Sequence, residues 1–134
     1  MITADTSVVI PALLDWHDHH AVARPAMLGV DTLPAHVLGE SFSVLTRLPH
    51  GLSLPPSDAT ELLLEAFPAR ALTLSADGHR ELLRTLAVAG VRGGAIYDGV
   101  VAATAAEADA DLLTLDGRAA ATYRAVGARF RTPT

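Results

Sequence analysis

Apolar residues along this chain alternate between short runs and helical stripes. Residues 1–4 read as a short strand ending in Asp5, and Val8, Val9 and Ile10 resume the apolar pattern at once. Proline is accepted at the first position of a helix but disfavoured in its interior. The regular part of the first helix is therefore expected to begin near Pro11 and to carry Ala12, Leu13 and Leu14. That spacing sets Asp5 six residues ahead of the proline and weakens a helix cap as its role. A second helix, from His20 to Leu28, is interrupted by Pro25 and ended by Gly29, and Val30 to Leu33 is a second strand candidate. Pro34 opens a helix over 35–48, whose stripe is Val37, Leu38, Val44, Leu45 and Leu48 at helical spacing. Pro49 to Pro56 is a loop rich in proline and glycine.

The second half repeats the alternation. Asp58 and Glu61 form the pattern of a capping box before Leu62, Leu63, Leu64 and Phe67, and Pro68 stops that helix. Ala71 to Leu74 is a third strand. Asp77 is expected to cap a helix through about Ala89, with Leu82, Leu83 and Leu86 inward and Gly90 at its end. An alanine-rich helix follows from Ile96 to Ala108. Asp111 to Asp116 is the clearest strand of this half, Ala119 to Val126 is a helix, and Arg129 to Arg131 is a last edge strand. Strands alternating with helices imply a parallel sheet covered on both faces. No linker or repeat divides the chain, so residues 1–134 are expected to form one domain.

In such sheets ligands sit beyond the carboxyl ends of the strands. Asp5 and Asp116 both fall at such ends, and Asp98 lies in the first turn of a helix opening near the same edge. Glu40 lies at the border of its helix's apolar stripe, with Ser43 and Arg47 on the same side. Each acid has an ordinary alternative: a solvated or ion-paired surface group for Glu40, a macrodipole partner for Asp98, an Asp-Gly turn for Asp116. The run Trp16-His17-Asp18-His19-His20 invites a metal assignment, but His36, His50 and His79 are scattered and no Cys supports it. A polar corner between two helices suits it better.

Composition narrows the function classes. Cysteine is absent, which excludes disulfides and thiolate chemistry. All ten basic residues are arginine, which excludes mechanisms that need a lysine. The net charge of −5 argues against a generally basic nucleic-acid binder, and setting the four acids aside brings the remainder close to balance. There is no apolar run of about 18 residues to span a membrane, and the start lacks the positive segment of a signal peptide. A cytoplasmic protein is expected.

The pieces Ala4-Asp5-Thr6-Ser7, His36-Val37-Leu38-Gly39-Glu40, Ile96-Tyr97-Asp98-Gly99 and Leu113-Thr114-Leu115-Asp116 occur here in one order. Together they resemble the PIN-domain family, and most closely the VapC-type ribonuclease toxins of bacterial toxin–antitoxin pairs. The resemblance implies a three-layer α/β/α sandwich around a parallel sheet of about five short strands. It implies RNA hydrolysis with Mg²⁺, or Mn²⁺, held by Asp5, Glu40, Asp98 and Asp116, with Asp5 and Asp98 nearest the ion. Thr6 or Ser7, and Thr114, would orient the carboxylates. Arg47, Arg92 and Arg118 are candidates for RNA phosphate contacts. Many relatives follow the last acid with Asp-Phe, where this chain has Gly117-Arg118. The resemblance also implies a cognate antitoxin, with the Leu48–Leu54 loop and the next helix as a candidate surface, and a homodimer.

Two other classes compete. A phosphatase of the haloacid-dehalogenase type needs an Asp-x-Asp and a lysine, but position 7 is Ser and lysine is absent. A PIN-like fold with a dead site that only binds a partner is the other alternative, and the presence of all four acids argues against it.

Overall fold

The computed structural model describes all 134 residues. Three strands, β1 (Ile2–Ala4), β2 (Asp111–Leu113) and β3 (Phe130–Arg131), form a parallel sheet in the order β1-β2-β3. Ile2 pairs with Asp111 and Ala4 with Leu113, while Leu112 pairs with Phe130. Seven helices surround it: α1 (Thr6–Leu13), α2 (His20–Ala26), α3 (Ala35–Leu45), α4 (Pro56–Ala66), α5 (Ala76–Ala89), α6 (Ala95–Glu107) and α7 (Ala120–Val126). Helix α1 packs on α2 and α3, and α3 on α4, while α5, α6 and α7 pack on one another. The fold is the expected α/β sandwich. The fully buried Val8, Val9, Val37, Leu45, Leu112 and Leu33 carry its core.

The sheet is smaller than expected. The segments 30–33 and 71–74 meet in one parallel bridge, Pro34 to Leu72, instead of forming regular strands. They lie where further strands belong: Thr3 Oγ1 donates to the Thr32 carbonyl at 3.0 Å, and Thr32 Oγ1 donates to the Arg70 carbonyl at 2.7 Å. Backbone bonds join the two segments as well: the Leu72 N–H donates to the Leu33 carbonyl at 2.9 Å, and the Ala35 N–H donates to the Leu72 carbonyl at 2.8 Å.

Helix ends supply further corrections. Helix α1 begins at Thr6, with Pro11 inside it and buried, so Asp5 is its cap after all. Helix α4 begins at Pro56 after Pro55, with Asp58 inside its first turn, because proline is already set for a first helical position. Helix α5 is capped by Ser75, whose hydroxyl accepts from the Gly78 N–H at 2.9 Å, with Asp77 in the first turn. Helix α3 stops at Leu45, and the Leu45 carbonyl accepts from the Leu54 N–H across the loop. Leu82 and Leu86 are buried, but Leu83 is 57% exposed. The histidine run is a corner: a His20 ring nitrogen lies 2.8 Å from the Pro11 carbonyl, joining α2 to α1.

Candidate metal centre at the carboxyl edge of the sheet

Asp5 belongs to a strand and a helix at once. Its backbone N–H continues the sheet, donating to the Leu113 carbonyl at 3.0 Å. Its side chain caps α1, with Oδ1 accepting from the Ser7 N–H at 3.0 Å. The Ser7 hydroxyl donates to the same oxygen, and the Tyr123 hydroxyl donates to Oδ2 at 2.7 Å. The residue is buried at 5% exposure, so each donor replaces a lost water. Burial raises the Asp5 carboxyl above its ordinary value, and the hydroxyls of Ser7, Thr114 and Tyr123 oppose that shift.

Ser7 ties this cap to β2. Its Oγ accepts from the Leu115 N–H at 2.7 Å and lies 3.4 Å from Thr114 Oγ1. Thr114 Oγ1 in turn accepts from the Asp116 N–H at 3.0 Å. One network of hydroxyls thus fixes the ends of two adjacent strands and the acid that each carries. Thr6 is outside it: its hydroxyl is buried with no hydrogen-bond partner, and of the two neighbouring hydroxyls Ser7 is the one that meets Asp5.

Asp98 enters from the first turn of α6. Gly99 behind it lets α5 approach closely; a Cβ there would meet Leu82 Cδ1 at 3.3 Å. The Asp98 carboxyl is raised by partial burial and then by the charges of Asp116, Glu40 and Asp5, with Arg118 opposing. The other three acids therefore lie within electrostatic reach of Asp98. Asp116 Oδ1 accepts from the Arg118 N–H at 3.0 Å and lies 3.5 Å from Arg118 Nε, although that arginine is 96% exposed. Glu40 stands at the rim with a side chain 45% exposed, 3.4 Å from His36 Nε2.

Tyr123 adjoins the acids through Asp5, a contact that the sequence does not reveal. It is 1% exposed, and burial together with the charge of Asp5 pushes its phenol far above its ordinary value. It stays protonated and remains a donor to Asp5. Of the proposed phosphate contacts, Arg118 adjoins the acids, Arg47 donates to Ser43 Oγ at 3.3 Å, and Arg92 is exposed before α6.

These donors are all hard oxygens, the preference of Mg²⁺ and Mn²⁺. No three acidic or histidine groups stand close enough to make a finished ligand cluster, and both Asp5 oxygens already accept hydrogen bonds. The fit is electrostatic. Four acids face a single exposed guanidinium, and a divalent cation relieves that repulsion. An ion that keeps several waters does not need every carboxylate at bonding distance.

The sequence model of the PIN domain matches residues 2–125. The chain belongs to the PIN-domain family. Its PIN-domain relatives include ribonuclease VapC27 of Mycobacterium tuberculosis, 45% identical over 127 residues that cover 94% of this chain and 92% of the relative. Among solved structures, M. tuberculosis VapC20, described as a sarcin–ricin-loop-cleaving toxin, superposes with a TM-score of 0.69 at 21% identity, covering 96% of each chain. VapBC2 of Rickettsia felis, bound to a DNA fragment from its promoter, superposes with a TM-score of 0.69 at 16% identity over 100% of each chain. At these identities the solved structures bear on the fold of this PIN domain alone.

Proposed function

We propose that the chain is a metal-dependent endoribonuclease and the toxin of a type II toxin–antitoxin module. The observation that carries this is the acid group at the carboxyl edge of the sheet, where burial and then Asp116, Glu40 and Asp5 raise the Asp98 carboxyl against Arg118 alone. The 45% identity to a relative named a ribonuclease supports RNA as the substrate.

In this account Asp5, Asp98, Glu40 and Asp116 would hold Mg²⁺, with Mn²⁺ as a substitute. When bound, the ion would supply Lewis-acid stabilisation of negative charge. The chain's own groups do the rest. Ser7 and Tyr123 lock the Asp5 carboxylate in one orientation, and Thr114 fixes the backbone of Asp116. One of the two acids Glu40, exposed at the rim, and Asp116 would take the proton from the attacking water. Arg118 contacts a phosphate beside Asp116, and Arg47 and Arg92 are the more distant candidates.

Partners follow from the same proposal. The 45% identity to a VapC-named relative supports a cognate antitoxin, and Leu52 and Leu64, 43% and 59% exposed, offer apolar contacts on the loop and helix α4. A homodimer in the cytoplasm completes the proposal; no helix is long and apolar enough to cross a membrane. Incubating the purified chain with total cellular RNA in Mg²⁺, Mn²⁺ or chelator tests the function. Discrete fragments that require metal are expected. Intact RNA under every metal, from a folded chain free of antitoxin, contradicts the nuclease and favours a partner-binding module.

A further inference from the structure

Beside the acids, on the outer wall of α3, lies a concavity that shares only Glu40 with the hydrolytic group. It is lined by His36, Gly39, Glu40, Ser43 and Tyr97 and encloses about 370 Å³. Tyr97 immediately precedes Asp98 and is 58% exposed, unusual for so large an aromatic. Its ring is parallel to that of His36, with an interplanar angle of 4° and centroids 5.5 Å apart. That separation exceeds the roughly 3.5 Å between planes in van der Waals contact, so the rings are offset and aromatic face remains open. His36 also lies 3.4 Å from Glu40, which holds its ring at the edge of the acidic group. Gly39 has no atom within 4 Å of where a Cβ would stand, which leaves the floor open. At the outer wall Ser43 accepts from Arg47 Nε at 3.3 Å, so a guanidinium stands one side chain beyond.

We infer that the Tyr97–His36 pair is a stacking subsite for one nucleobase of single-stranded RNA, adjoining the phosphate that meets the acids. This rests on the nuclease assignment of the acidic group and adds a residue that positions substrate. An open parallel aromatic pair presents a π face to any base, so the subsite accepts bases by stacking and not by base identity. With His36 3.4 Å from Glu40, a base stacked on the pair brings its own phosphate beside the acidic group and leaves the strand to continue past Ser43 toward Arg47. A fold built from this pair selects unpaired RNA, because a base inside a duplex offers no free face.

The test is equilibrium binding of a fluorescein-labelled, mixed-sequence single-stranded oligoribonucleotide in Mg²⁺, read by anisotropy. The Asp116→Asn chain serves as the background, to slow cleavage. Tyr97→Phe is expected to bind within about twofold of that background, and Tyr97→Leu about tenfold more weakly, with circular dichroism melts confirming that both are folded. An all-abasic oligonucleotide of the same length, on which no register places a base on Tyr97, should bind about tenfold more weakly than its parent when Tyr97 is present, and with a smaller penalty in Tyr97→Leu. Equal affinity of Tyr97→Leu and the background, or equal abasic penalties with and without Tyr97, overturns the subsite. The wild-type cleavage assay is scored separately. Tyr97-dependent stacking without wild-type cleavage upholds the subsite and defeats the nuclease. Metal-dependent cleavage with Tyr97-independent binding does the reverse.

Discussion

Strand β2 has acids at both of its ends, and the two ends treat them in opposite ways. At the amino end Asp109 and Asp111 share one arginine: Arg129 Nη1 lies 2.8 Å from Asp109 Oδ1, and Arg129 Nε lies 2.8 Å from Asp111 Oδ1. The hydrogen bond from Arg129 holds the Asp111 carboxyl below its ordinary value. At the carboxyl end Asp116 joins Asp5, Asp98 and Glu40, and Asp98 is raised by burial and by the three other acids. A carboxylate pair answered by an arginine within the chain fixes the shape of a sheet edge. Four carboxylates that face one exposed arginine are a candidate for a site that takes its positive charge from outside.

The largest effect should separate the two ends outright. Asp98→Asn is expected to lower RNA cleavage on the order of 10²- to 10³-fold, the loss typical of one preorganised electrostatic group. Asp111→Asn should leave cleavage within about twofold, since surface pairs contribute little. Initial rates on one RNA substrate, with both variants side by side, decide it. Similar losses in both would erase the distinction.

Next comes the buried support of Asp5. Tyr123→Phe removes the donor to Oδ2 and leaves a buried carboxylate oxygen unpaired. A loss of about 1.5–3 kcal/mol in urea unfolding is expected, the range for hydrogen bonds to charged groups. Arg129→Ala, at the exposed end, should not shift the urea midpoint measurably.

The pH dependence sharpens the contrast. Asp5 and Asp98 are raised in the folded chain. Their contribution to stability is present below the ordinary carboxylate pKa, about 4, and is lost as pH rises through the raised values. Asp111 is lowered, so its contribution is present above the ordinary value and lost as pH falls through the lowered one. Above about pH 4, therefore, only the carboxyl edge changes. In chelator the melting temperature should fall as pH rises through that window, and Mg²⁺ or Asp98→Asn should flatten the slope. An unaltered slope in Asp98→Asn contradicts the assignment.

The smallest effect lies within the site. The Thr6 hydroxyl has no partner, so Thr6→Val should be neutral or stabilising by up to about 1 kcal/mol. Ser7→Ala, which removes links to both Asp5 and Leu115, should destabilise the chain in the same urea series.

Much of this was legible in the amino-acid sequence, because the alternation of strand and helix is a local pattern. The carboxyl-edge positions of Asp5 and Asp116 followed from strand ends alone. Caps were harder. Pro56 and Ser75 start their helices two residues ahead of Asp58 and Asp77, and an acid suits a first turn as well as it suits a cap. Asp5 was hidden by Pro11, which α1 tolerates inside it. Segments 30–33 and 71–74 have strand-like composition, but whether a ladder forms depends on neighbours far along the chain. Tyr123 was out of reach for the same reason: its contact with Asp5 spans 118 residues, and a lone aromatic in α7 reads as core. The stack of His36 on Tyr97 is equally non-local.

The most direct test of the central claim is a calorimetric Mn²⁺ titration of the wild-type, Asp98→Asn and Asp111→Asn chains. The carboxyl-edge acids are expected to bind the ion, with Asp98→Asn weakening affinity at least about tenfold and Asp111→Asn matching wild type. Equal affinity in Asp98→Asn and wild type, or a loss confined to Asp111→Asn, would contradict a metal centre at the carboxyl edge.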